Sequence, residues 1–346
     1  MIGTLKKTIT IILFFVVFKF GDAQIIHFSQ FYSTPMTIAP SFAGPEKGGR
    51  VAINYRDQWP SIPGVYRTIA AGVDHYFPRA NSGVGLLFIR DAAGEGNLGL
   101  TEGGFLYSYN FKVSQKRSNK SKEWFIRPGI HFKYSQRSID FEKLTFGDQL
   151  RDPSKPTGTA VPFKKKPYID FAASAMAYSE LYWAGISVDH LLRPNQSLYG
   201  LDSRLHMKFS LFGGAKVLLN SRKRRVRYNR EPESITFALN YQYWDKFDQL
   251  DLGAYWTHDP LILGAWFRGI PVADRTDKSF NNLDAIIVMV GFKITRNLKI
   301  GYSYDMTIIK NLFSHTGGSH EVSLVYEFNK NLGKNQKHSI IPCPGI

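Results

Sequence analysis

Thr236-Phe237-Ala238-Leu239-Asn240-Tyr241-Gln242-Tyr243 alternates without a break. Its large apolar side chains take every second position, and small or polar ones take the rest. Successive side chains of an extended strand point to opposite faces, so this stretch reads as a strand with one apolar face. The pattern recurs. Ile300, Tyr302, Tyr304 and Met306 oppose Lys299, Gly301, Ser303 and Asp305. Ile130, Phe132 and Tyr134 oppose Arg127, Gly129, His131 and Lys133, and Val322, Leu324, Tyr326 and Phe328 oppose Glu321, Ser323 and Glu327. A soluble sandwich also carries one polar face per strand, so alternation alone admits both. Aromatic residues crowd the apolar face here, as they do on a lipid-facing wall with interfacial girdles.

Composition points the same way. The 346 residues include 26 Phe, 18 Tyr and 30 Gly, and 43% are hydrophobic, yet the mean hydropathy is only -0.22. No stretch after residue 23 approaches the roughly 18 consecutive apolar residues of a helical span. Barrel strands escape that test because lipid-facing and lumen-facing residues alternate. At the start, Lys6 and Lys7 precede an apolar run from Ile9 to Phe18, and Gly21-Asp22-Ala23 follows with small residues. This predicts a secretory signal over 1–23 and a mature start at Gln24. The only cysteine, Cys343, excludes an internal disulfide framework and a cysteine metal cluster. The formal charge of +16 is a field for lipid phosphates and acidic proteins in an exported chain, and no nucleic-acid partner is expected.

The alternating segments predict an all-β, transmembrane antiparallel β-barrel of about 14 strands: 49–56, 66–75, 83–90, 100–113, 124–136, 168–179, 182–189, 205–219, 234–245, 251–257, 261–268, 284–295, 298–306 and 319–328. Residues 24–48 form a periplasmic or plug segment, 49–328 the barrel and 329–346 a tail. Pro35, Pro40 and Pro45 keep the first of these out of regular structure. If the mature N-terminus is periplasmic, the long connections 57–65, 137–167, 190–204, 269–283 and 307–318 face outward. Glu180-Leu181, His258-Asp259-Pro260 and Arg296-Asn297 then make tight periplasmic turns. Two periplasmic connections are long and basic, Ser114–Lys122 and the one containing Arg222, Lys223, Arg224 and Arg225. They are either solvated turns or a docking surface for an acidic partner. Lys164-Lys165-Lys166 should meet lipopolysaccharide phosphates.

Catalytic and metal patterns are weak, and neither a cofactor nor an enzymatic activity is expected. Asp74-His75, Asp189-His190 and His258-Asp259 are adjacent pairs, whose side chains diverge on a strand. There is no Walker loop, strand-to-helix glycine fingerprint or Gly-x-Ser-x-Gly elbow. Lumen-facing Arg127, His131, Lys133, His206, Lys208, Lys216, Asp305 and Glu327 either line a pore or form a satisfied network of opposite charges. A barrel of this width needs water or a plug inside.

Several motifs match in order along the mature chain: His27-Phe28-Ser29-Gln30-Phe31-Tyr32, Pro40-Ser41-Phe42-Ala43-Gly44, Asn54-Tyr55-Arg56-Asp57-Gln58-Trp59-Pro60, and Asp74-His75. Gly185–Leu191, Trp266–Pro271, Gly301–Thr307 and Gly318–Leu324 continue the match. In these the chain resembles the PorP/SprF family. The resemblance implies an integral outer-membrane protein of the Bacteroidota type IX secretion and gliding machinery. It also implies cargo, a large secreted adhesin with a type B C-terminal domain to deliver or retain, and association with periplasmic ring lipoproteins. A porin or ligand-transport channel is the competing reading, and a barrel hydrolase a third. Arg56, Asp57, Gln58 and Trp59 fall in the first outer connection, where Trp and Arg suit binding. The alternative there is a loop lock with Trp59 in the interfacial belt.

Overall fold

The computed structural model describes residues 26–44, 48–113, 123–151, 157–158, 163–219, 232–245, 247–269, 283–308 and 316–328. Within these, the alternating segments become fourteen antiparallel strands. They are β1 (Gly49–Gln58), β2 (Val65–Phe77), β3 (Ser82–Gly94), β4 (Leu98–Tyr109, continued by Phe111–Lys112) and β5 (Phe125–Ser138). Next come β6 (Lys165–Tyr178), β7 (Tyr182–Asp189), β8 (Lys208–Leu218), β9 (Ser234–Trp244) and β10 (Phe247–His258). β11 (Leu261–Gly269), β12 (Leu283–Lys293), β13 (Leu298–Thr307) and β14 (Ser319–Phe328) complete the set. Each strand pairs with its sequence neighbours, and β1 closes on β14 in an unbroken register from Gly49 opposite Phe328 to Gln58 opposite Ser319. Closure leaves no free edge around the wall, the condition for a sheet in lipid.

Side-chain burial follows the alternation. Along β5, Arg127, Gly129, His131, Lys133 and Ser135 are buried, while Ile126, Ile130, Phe132 and Tyr134 are exposed. The same holds on β9, where Phe237 is exposed and Thr236, Ala238 and Asn240 are buried. The wall is thus inside out relative to a soluble domain, with its apolar side chains outward. No helix among the described residues is long and apolar enough to cross a membrane; the crossing is made by strands.

Connections of contrasting length gather at the two ends. The connections that follow β1, β5, β7, β11 and β13 leave from one end of the strands, and 78–81, 179–181, 259–260 and 294–297 join strands at the other. Two connections at the long end are nevertheless tight, 95–97 and 245–246. The basic stretches at 114–122 and Arg222–Arg225 lie outside the described residues.

Candidate functional site: the filled lumen

The barrel interior is occupied by the chain's own N-terminal segment. Residues 28–36 and 38–44 are all buried, and the segment is irregular apart from single 3-10 turns at Pro35–Thr37 and Pro40–Phe42. Its proline spacing forbids a strand or a longer helix, so its backbone polar groups need partners on the wall. Those partners lie at successive depths. His27 meets Gln249 and Asp251 near the end with the long connections. Gly44 packs against Gly83 and His75 near the opposite end. The chain therefore enters the lumen at the long-loop end and runs down to β1. The first described residue, Ile26, lies at the long-loop mouth.

The upper clamp is ionic. The Glu321 carboxylate accepts from the consecutive backbone N–H groups of Ser29 (2.7 Å) and Gln30 (2.8 Å). It also accepts from Asn54 (2.8 Å) and Arg56 (3.2 Å). Arg56 donates to Asp305 at 2.8 Å and to Ser29 Oγ at 2.6 Å. Arg268 donates to Asp251, Asp305 and Ser29 at 3.0, 3.1 and 3.1 Å. Two guanidiniums and three carboxylates from five strands thus converge on Ser29–Gln30. Charges in such a dry site are tolerable only when paired and hydrogen-bonded.

The middle layer is aromatic. Phe31 meets Trp266 edge-on at 4.8 Å, Tyr32 meets Trp183 at 6.0 Å, and Phe42 meets Phe212 at 5.2 Å. Small residues on the wall make room for these rings, and a Cβ at Gly253 would overlap the Trp266 indole. At the lower end Asp74 accepts from Gly44 N (2.7 Å) and from Arg50 at 3.0 and 2.7 Å. Arg127 donates to Gly44 O at 2.6 Å, and Ser108 Oγ donates to Ala43 O at 2.8 Å. Gly44 has φ +63°, a left-handed conformation that favours glycine. A Cβ on Gly83 would overlap Ala43 O. Here the wall has been thinned to backbone so that the segment can lie on it.

A second charged cluster sits beside the upper mouth. Lys133 is buried and donates to Asp189, with Asp170 at 3.6 Å and Glu102 at 3.8 Å. His190 Nδ1 lies 2.6 Å from Asp170 Oδ2. One ligand atom each from Asp170, Asp189 and His190 falls within 4.8 Å of the others. The Lys133 ammonium already supplies the positive charge there, so the set does not suit a metal ion. His190 reaches Asp170 because it has left the strand with φ +59°. Adjacent strand residues do diverge, as Asp74 and His75 show, but the argument fails where the second residue turns.

Among the anticipated binding residues, Arg56 is corrected. It lies in β1, which extends to Gln58, and its side chain is turned into the lumen at 3% exposure, with its charge consumed by Asp305 and Glu321. Asp57 and Gln58 also belong to the strand rather than the loop. Asp57 pairs with exposed Arg67 at 3.6 Å. Trp59 begins the connection with φ +55°, donates its N–H to Gly318 O (2.9 Å) and packs edge-on against Tyr66 at 5.6 Å. Of the lumen candidates, Arg127, Lys133, Asp305 and Glu327 are all engaged, Glu327 by Lys299 at 3.1 Å. His206 precedes β8, and its side chain is 52% exposed, 3.6 Å from Asp245, so it is not a wall residue.

The family model for the type IX secretion system membrane protein PorP/SprF matches residues 20–326. The chain belongs to the PorP/SprF family. It is an outer-membrane β-barrel of the type IX secretion apparatus. No curated protein matches it. Among solved structures it is similar to Omp33 of Acinetobacter baumannii, with 8% identity over 82% of this chain and 100% of that one and a TM-score of 0.44. It is also similar to the CymD monoaromatic hydrocarbon channel, with 9% identity over 86% and 93% and a TM-score of 0.46. The KdgM porin gives 11% identity over 81% and 99% and a TM-score of 0.36. At those scores the similarity assigns no function.

Proposed function

We propose that this PorP/SprF protein is a non-enzymatic holder that delivers a large exported adhesin to the cell surface or retains it there. The cargo would carry a type B C-terminal domain and engage the long loops and upper lumen, with Asp57, Gln58 and Trp59 at the rim. The basic lower connections, Arg222, Lys223, Arg224 and Arg225 included, would face periplasmic ring lipoproteins of the machinery. Lys164, Lys165 and Lys166 would lie against lipopolysaccharide phosphates. The observation that carries the reading is the lumen itself. A barrel stitched to its own N-terminal segment along its depth is built to present surfaces, not to pass solutes. The runner-up, a porin or ligand channel, draws on the polar upper mouth, where Glu102, Lys133 and Asp189 line an open hollow.

The test is made in cells that lack the chromosomal copy. Trp59→Ala combined with deletion of 141–162 should abolish adhesin display while the barrel stays at its normal level in the outer membrane. Unchanged display would overturn the outer-contact reading.

A further inference from the structure

Above the N-terminal segment the lumen opens into a hollow with an open mouth. Its floor is apolar, made by Phe28, Phe31, Met36 and Ile38 of the segment with Leu87 and Ile89 of β3. The acids and lysines of its wall neutralise one another, Lys133 with Glu102 and Asp189, and Lys208 with Asp189 at 3.7 Å. Two groups do not fit that self-contained pattern. Asn240 is 1% exposed and lines the hollow, yet neither its carboxamide oxygen nor its nitrogen has a hydrogen-bond partner. Buried polar side chains are paired in the great majority of cases, so a carboxamide unpaired at both atoms marks a place where a partner is expected to arrive. The second is Arg137, near the end of β5 at the mouth, which makes no close ion pair among the described residues and has Asp91 and Tyr168 as its electrostatic neighbours.

We propose that this hollow receives an extended peptide segment bearing an apolar side chain and a carboxylate, entering from the long-loop end. A carboxamide offers a donor and an acceptor side by side, the complement of a backbone amide. The floor would take the apolar side chain, and Arg137 the carboxylate, for which its planar fork is suited. The proposal rests on the cargo-holding reading and narrows it to one surface.

The experiment uses the purified full-length barrel in detergent, immobilised and exposed to an equimolar pool of heptapeptides randomised at three central positions. Retained peptides are sequenced by mass spectrometry. Peptides combining Leu, Ile or Phe with Asp or Glu should be enriched at least about ten-fold over the input, equivalent to about 1.4 kcal/mol. Arg137→Gln should erase the acidic preference and keep the apolar one, and Asn240→Leu should lower total retention. Should Asn240→Leu fail to fold, Arg137→Gln carries the test alone, since Gln keeps a polar side chain beside Asp91 and Tyr168 and removes only the charge. A retained set matching the input, a set unchanged in Arg137→Gln, or displacement by maltohexaose would each overturn the proposal. Loss of peptide selection with adhesin display still dependent on the barrel would remove the hollow and leave the proposed function standing.

Discussion

Arg56 stands at the centre of the upper clamp. It bridges Asp305, Glu321 and Ser29, so removing it leaves Asp305 to Arg268 alone and Glu321 with neutral donors only. Arg56→Ala should destabilise the barrel by about 3–5 kcal/mol, the usual cost of breaking a buried pair, read as a lower unfolding midpoint in detergent. Arg56→Lys should fall between, since an ammonium cannot span all three acceptors with a planar fork. Asp148 in the 139–164 connection offers a pH test. The N–H of Gly158 (2.7 Å), then the Thr157 hydroxyl, hold its carboxyl below its ordinary value of 3.8. A depressed carboxyl contributes order above its unfolded pKa and loses it as pH falls through the folded one. The protection factor of the Gly158 amide should therefore be full at neutral pH and fall only as pH drops below the ordinary value of 3.8. Asp148→Asn should show fast exchange at neutral pH, where the wild type is protected.

At the scale of elements, Gly83 tests whether wall and segment were shaped for each other. Gly83→Val keeps β3 a good strand former while placing methyls where Ala43 O lies. The segment should be displaced with the barrel still formed, seen as new protease cleavage between residues 26 and 44 beside an unchanged heat-modifiable band. Strands were legible in the sequence because their signal is local. A lipid-facing wall forces period-two alternation at every strand, and all fourteen segments were found, β8 starting three residues late and β10 four residues early relative to expectation. The lumen was not legible, because its pairings are not local. Ser29 and Glu321 are separated by 292 positions, and nothing near Arg56 in sequence tells that it turns away from the rim. The Asp170–His190 contact was hidden for another reason, the single left-handed residue at the end of β7.

For the whole molecule, the wall is what any outer-membrane barrel must have, and the interior is set by this chain's own N-terminal segment. Lipid dictates closure, alternation and the apolar exterior. The interior is dictated by nineteen described residues that enter at the loop end and leave at β1. Their removal should convert the protein into an open barrel, since their backbone and rings occupy the middle of the lumen. Planar-bilayer conductance of the purified protein tests this most directly. The intact chain should pass almost no ion current, and a variant lacking residues 26–44 should give steady open channels. Steady channels of that size from the intact chain would contradict the account.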